Sequence, residues 1–305
     1  MSKNQAPCTA PCCRRAAKRF KRLKKHLYLI VDDWERGYNI YQIDSLPLPG
    51  PPVVRFKARH GGSWYFATHG AKILATQPSG CPAFPVFDIQ TTALTVCPWS
   101  RRGGNKVQQK PFFPSVSGSL YLLRDGGHFD VLGATPPPLD VCSPPPFDDP
   151  NRISSFAVHP DGDGRTLFVT VNQEWASHGD WFMPFQGEAF YDGELDAWNL
   201  GKDQLFDAES RRHLGAKLVY MGDGDTNITK YCLIESLAHD NEEDLRRLHW
   251  DGYYPHGHVL SVTTFGLKYD KQGHLVTTHR KVQSFEVTDA HKLPELSWNP
   301  VAFWM

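Results

Sequence analysis

The sequence predicts an all-β fold, a β-propeller of about six blades that is irregular or short of strands in places. Three observations predict it. Short apolar or alternating runs recur about every 8 to 12 residues, bounded by Gly, Pro, Asn and Asp, which is the pattern of sheets built from short strands and turns. No strand–helix–strand alternation occurs, which argues against a parallel α/β sheet; the one good helical stretch in the body is 241–248. Residues 26–305 run on with no linker-like break. That is far more than the roughly 100 residues of a sandwich, and it divides into six or seven blades of about 40 to 50.

The elements follow in order. Residues 1–25 form an arm that holds nine of the chain's 33 basic residues and none of its 33 acidic ones, so a cationic arm precedes an acidic body behind a net charge of zero. Pro7 and Pro11 break regular structure there, and the apolar stripe of Phe20, Leu23 and Leu27 is thin, so disorder or helix on binding is expected. The run 27–31 is β-rich, and 38–43 alternates. Pro47, Pro49, Pro51 and Pro52 then interrupt the pattern as an edge loop. Strands are expected over 53–57, 63–68, 72–76, 86–89 and 94–97, then 119–123 and 128–132 after a Gly- and Lys-containing loop at 101–110. The strands 153–158 and 166–171 flank His159-Pro160-Asp161-Gly162-Asp163-Gly164, a hairpin signal. The last expected strands are 216–221, 231–236, 259–269 and 274–287.

A faint repeat runs through this series. Phe87-Asp88, Phe129-Asp130, Tyr191-Asp192 and Tyr269-Asp270 each place an aromatic before an Asp ahead of a turn. The aromatic is expected to fill space between stacked sheets, and the Asp oxygen to accept turn amides.

Longer stretches carry a resemblance. HLYLIVDDWERGYNIYQID (26–44), ATHGAKILAT (67–76), PVFDIQTTALTV (85–96) and FDDPNRISSFAVHPDG (147–162) are four of them. HGDWFMPFQGEAFYDGELDAW (178–198), GAKLVYMG (215–222), VTTFGLKYD (262–270) and PVAFWM (300–305) complete the set. Together they resemble a large plant family, expanded in grasses and classed as a domain of unknown function, which is itself similar to kelch-type and F-box-associated β-propellers. The resemblance implies a kelch-like fold and a plant source, and it transfers no active site. Three departures from the family pattern stand out. Gln173 passes straight to Glu174-Trp175 where a further strand is usual, Asn199-Leu200-Gly201-Lys202 cuts short a strand pair, and the loop 136–146 is abbreviated. Two blades are therefore expected to lack a strand. The stretch before Leu27 is too short and too basic to be an F-box.

The commonest catalytic and cofactor motifs are missing: no G-x-x-x-x-G-K-[ST], G-x-G-x-x-G, G-x-S-x-G or H-E-x-x-H occurs. No cofactor is predicted. Asp223-Gly224-Asp225-Thr226-Asn227 begins like a calcium loop, but Ile228 and Ile234 stand where the turn Gly and the bidentate Glu belong, so a polar hairpin turn is the simpler account. His249, His256 and His258 lie among Trp250, Tyr253 and Tyr254; an exposed aromatic loop that contacts a partner is expected there, ahead of a zinc site, because no Cys is near in sequence. Cys8, Cys12 and Cys13 sit in the arm as metal or acylation candidates or as incidental thiols. Trp181, Phe182, Phe185, Phe190 and Trp198 are expected to pack between sheets.

Cysteines number seven, an odd count with no C-x-x-C pair in the body, and no apolar segment follows the basic N-terminus as in a secretory signal. Free thiols and a cytoplasmic or nuclear location are expected, with no transmembrane segment. The function that fits is a non-enzymatic, monomeric module that binds a protein partner through loops carrying Arg101, Arg102, Lys106, Trp250, Tyr253, Tyr254 and His256. Specific nucleic-acid reading is not expected, since no recognition module accompanies the arm. An enzyme with acidic and His side chains at a channel mouth is the alternative, and a family member without activity is a third.

Overall fold

The computed structural model of the chain describes residues 24–33, 37–43, 51–57, 64–76, 83–98, 111–116, 119–124, 128–132, 140–141, 153–158, 167–171, 187–189, 191–192, 197–198, 210–223, 229–239, 258–287 and 300–305. Among them there are 21 strands in six sheets and no helix, hence no helix long and apolar enough to cross a membrane. The expected arm and the expected helix at 241–248 lie outside the described residues, apart from Lys24 and Lys25, which are exposed.

The first sheet is built from both ends of the body. β1 (Leu27–Asp33), β2 (Gly37–Ile43) and β3 (Val54–Phe56) follow in order, and the last strand, β21 (Val301–Trp304), lies beyond β1. β21 runs antiparallel to β1, with Leu27 opposite Trp304 and Ile30 opposite Val301. Two backbone bonds seal the pair: His26 N–H donates to the Met305 carbonyl at 2.6 Å, and Met305 N–H returns to the His26 carbonyl at 3.0 Å.

The other sheets follow along the chain. The second contains β4 (Tyr65–His69), β5 (Lys72–Thr76), β6 (Ala83–Asp88) and β7 (Ala93–Pro98). The third contains β8 (Ser115–Val116), β9 (Ser119–Arg124), β10 (His128–Leu132) and β11 (Asp140–Val141). β12 (Ile153–Val158), β13 (Leu167–Val171) and β14 (Gly187–Ala189) form a three-stranded sheet in which β12 and β14 are parallel, and β15 (Tyr191–Asp192) pairs only with β16 (Ala197–Trp198). Among the described residues, the sheets with fewer than four strands thus lie between residues 153 and 198. The last sheet is β17 (His213–Asp223), β18 (Thr229–Ala238), β19 (His258–Tyr269) and β20 (Leu275–Val287).

Period-two alternation explains how these sheets stack. In β1, Leu27, Leu29 and Val31 pack into one cluster with Val219, Cys232, Ile234, Leu260, Val262 and Phe285 of the sixth sheet. The alternate residues Tyr28 and Ile30 pack on the other face with Trp64, Ile73, Ala75 and Phe87 of the second sheet and its approach. The far face of the second sheet, through Leu74, Phe84 and Val86, meets Leu120 of β9. Phe112, just ahead of the third sheet, stacks edge-on against Phe156 of β12 with centroids 4.8 Å apart. A continuous apolar run such as Leu-Tyr-Leu-Ile-Val is the composition of a strand covered on both faces.

The aromatic–Asp repeat is half right at Phe87-Asp88 and Tyr269-Asp270; the side chains of its other two copies, Phe129-Asp130 and Tyr191-Asp192, lie outside the description. Phe87 is 2% exposed, and the Asp88 carboxylate accepts the amides of Gln90 (2.9 Å) and Thr91 (3.1 Å). Asp270 likewise accepts the amides of Gln272 (2.9 Å) and His274 (2.8 Å). Tyr269, however, is 45% exposed and fills no space between sheets. It ends a strand that outruns its packed neighbours. Pro85 stands in β6 without loss of a ladder bond to β5, because β5 pairs only with Val86 to Asp88.

Candidate functional site

Sheet topology sorts the connections by end. In a meander whose strand order follows the chain, the first-to-second and third-to-fourth turns lie at one end. The second-to-third connection and the link to the next sheet lie at the other. In the second and sixth sheets the first kind are short: 70–71, 89–92, 224–228 and 270–274. The second kind include the two segments singled out from sequence. The segment carrying Arg101, Arg102 and Lys106 leaves the end of β7, and the segment carrying Trp250, Tyr253, Tyr254 and His256 joins β18 to β19. These seven residues lie outside the described residues; the structure describes the roots of their segments.

The root between β18 and β19 is closed and apolar. His258, expected in an exposed loop, is instead the first residue of β19 and only 3% exposed. It stands opposite Ala238 on one side and Val287 on the other. Its parity matches Leu260 and Val262, which face the first sheet. Burial, with a smaller contribution from the neighbouring charge of His239, pushes its pKa down to about 4, so the imidazole is neutral near pH 7. Its Nε2 is buried without a hydrogen-bond partner. Ser236, fully buried, sits opposite Leu260 on the same face, one diagonal step from His258, and its Oγ also has no partner.

The flanking strand ends are clamped. Arg212 Nε donates to the Ala238 carbonyl at 3.0 Å, and Ala238 N–H donates to the Arg212 carbonyl at 2.8 Å. On the opposite face, His213 Nδ1 and Glu235 Oε1 meet at 3.0 Å with about 15% of each side chain exposed. Tyr231, Leu233, Phe265 and Leu267 form the core of that face. Sequence reading missed the His213–Glu235 pair, since 22 residues separate them. The burial of His258 was legible in its even spacing with Leu260 and Val262.

The start of β4, on the other side of the second sheet from β7, is tied to the first sheet. Trp64 N–H donates to the Tyr38 hydroxyl at 3.3 Å, and Tyr38 also lies edge-on to Phe66 with centroids 5.0 Å apart. β7 itself is exposed from Ala93 to Val96, and Cys97 is buried.

The other candidates resolve simply. Of the calcium-like stretch, residues 224–228 lie outside the described residues; they join β17 to β18 with Asp223 opposite Thr229, and Ile234 is wholly buried in the core. Gly222 takes a left-handed φ of 84° beside a bulge, which glycine adopts without strain. Among the described residues no three His, Cys, Asp or Glu gather to hold a metal. Cys97 and Cys232 are free, and burial drives the Cys232 thiol up to about 12, which makes it inert. The 159–166 segment lies outside the described residues, but it joins β12 to β13 with Val158 opposite Leu167, as a hairpin requires. The arm cysteines, His249, Trp181, Phe182, Phe185 and Phe190 also lie outside, and Trp198 pairs with Tyr191 across the β15–β16 sheet.

A family model described as "Protein of unknown function (DUF1668)" matches residues 24–200, more than half of the chain. No curated protein matches it.

Proposed function

The chain belongs to the DUF1668 family of proteins of unknown function, and from that premise we propose that it is a non-enzymatic module that binds a protein partner. In this reading the six sheets are the blades of an irregular, kelch-like ring. Two features support it. Sheets consecutive in the chain pack on one another from the sixth through the first and second to Leu120 of the third, Phe112 ahead of the third meets Phe156 of the fourth, and β17 lies beside β21. The C-terminal strand also completes the N-terminal sheet, which holds a ring shut by strand pairing.

One observation carries the functional part. Both long segments, 99–110 and 239–257, start from the same kind of sheet end. In a ring whose first strands all point the same way, those ends share one face. That face then presents Arg101, Arg102 and Lys106 on one side and Trp250, Tyr253, Tyr254 and His256 on another. Arg, Trp and Tyr are the residue types that dominate protein–protein hot spots. The buried, clamped root at Ala238 and His258 holds one segment on a rigid base.

The test uses the intact chain as bait, with mass spectrometry of what it retains. One variant carries alanine at Trp250, Tyr253 and Tyr254, a second carries alanine at Arg101, Arg102 and Lys106, and a third lacks residues 1–25. A partner held by the intact chain and by the third variant, but lost from the first two at unchanged thermal stability, is the expected result. A partner lost only with the arm moves recognition to residues 1–25. If none of the baits holds a partner, the binding reading is wrong.

A further inference from the structure

The last strands of the first, second and sixth sheets have described side chains, and they treat their open edges differently. β3 is three residues long, carries Arg55 at its centre and is followed at once by Lys57. β20 carries exposed Arg280, Lys281 and Glu286 and a bulge opposite Thr264 and Gly266. These are the usual devices that stop an edge from pairing with a foreign strand. β7 has none of them. No charged residue occurs between Asp88 and Arg101, its register with β6 runs unbroken from Ala93 to Pro98, and its one proline is the final residue. Leu94 is 55% and Val96 67% exposed. Alternate residues of such a strand direct N–H and C=O away from β6 with no described strand to receive them.

We propose that the β7 edge is a pairing surface for a second copy of this chain, joined antiparallel about a two-fold axis through Thr95. Charge selects this occupant. A two-fold pairing sets each edge against itself, so any lysine or glutamate on the edge meets its own copy nearby, and β3 and β20 would both pay for that repulsion. β7 has no charge to oppose. The axis at Thr95 also sets like against like: Leu94 faces Val96 of the second copy, Val96 faces its Leu94, and Thr95 faces Thr95. Apolar and Thr–Thr cross-strand pairs are stabilising ones. The pairing is isologous, so it closes at two chains. Six residues of strand make a small interface, so the dimer is a weak, concentration-dependent one. This departs from the monomer expected from sequence, and it does not depend on the partner-binding reading above.

The experiment is sedimentation equilibrium of the full chain over a concentration series, beside Val96→Lys and Leu94→Lys. Either position is exposed, and circular dichroism checks that each variant folds; one folded variant suffices. The expected result is a reversible dimer that the substitution abolishes. Leu94→Lys mixed with Val96→Glu should restore it, because the two new charges then face each other. A chain that stays monomeric throughout overturns the proposal and leaves the edge to a strand of another protein or to a connecting segment of this one. A dimer that survives the lysine, or growth beyond two copies, overturns it too.

Discussion

The second and sixth sheets are both four-stranded antiparallel meanders, and their outer edges are built on opposite plans. In the sixth, strands of 10 to 13 residues carry bulges and a charged last strand. In the second, strands of five or six residues end in an unbulged, uncharged β7. Toward the interior the two agree: Ile73, Ala75 and Phe87 on one sheet, and Cys232, Ile234 and Leu260 on the other, all pack against the first sheet. Interior packing therefore fixes how sheets stack and leaves the outer edge free to vary. An edge can be sealed or left open without altering the core beneath it.

The largest test of that separation compares core with edge. Ile234→Ala in β18 removes a wholly buried side chain from between two sheets and should cost about 2 to 5 kcal/mol. Leu94→Ala in β7 removes one that is 55% exposed and should change stability by no more than about 0.5 kcal/mol. Urea unfolding of dilute protein at unchanged m-value measures both. Comparable losses would mean that β7 is covered in solution and that the contrast between the sheets is false.

A smaller effect separates the sheets by pH. His258 titrates at about 4 in the folded chain, below the ordinary 6.5. Between those values the unfolded chain binds a proton that the folded chain refuses, so stability is complete above about pH 6.5 and falls as the pH drops toward 4. Two to three pH units at 1.36 kcal/mol each give about 3 kcal/mol. His258→Phe should flatten this slope relative to the unaltered chain in urea titrations at pH 7, 5.5 and 4.5. His69 in β4 is lowered in the same sense, first by burial and then by Lys72, but it is only partly buried. Its replacement should move the slope much less. Equal slopes would show that the root of the 239–257 segment is not closed.

How much of this was legible follows from what each segment shows on its own. Leu27 to Val31 and Lys72 to Thr76 declared themselves through dense apolar residues, and their bounds differ from the observed strands by two residues at most. In the sixth sheet β19 and β20 match their expected bounds to within one residue, while β17 and β18 extend beyond 216–221 and 231–236 to His213–Asp223 and Thr229–Ala238, because most of their end residues are polar or glycine and owe their pairing to the neighbouring strand. β21 was visible as Pro-Val-Ala-Phe-Trp-Met and was not recognised as a strand. Four residues carry no period, and their partner lies at the other end of the chain. For the candidate site, the segments were legible by composition, but their shared sheet end was not. That property belongs to topology, and so do the clamp at Arg212 and the bare edge at β7.

The smallest predictions concern backbone conformation and return to the same two sheets. Each has one non-glycine residue at positive φ close to its outer strand: Thr92 at 55° before β7 and His279 at 52° within β20. A β-branched residue is a true outlier there, whereas His tolerates the left-handed region better. Nothing but the turn holds Thr92, whose hydroxyl donates to the adjacent Thr91 carbonyl at 2.7 Å. Thr92→Gly should therefore raise stability by about 1 kcal/mol, after the added freedom of glycine in the unfolded chain offsets part of the relief. His279 sits where β20 bulges past Thr264 and Gly266, and the same substitution should gain less than about 0.5 kcal/mol. The order matters more than either value. A larger gain at His279 would show that the long bulged edge carries more strain than the short one, and that blunting an edge is bought with backbone strain rather than with charge alone.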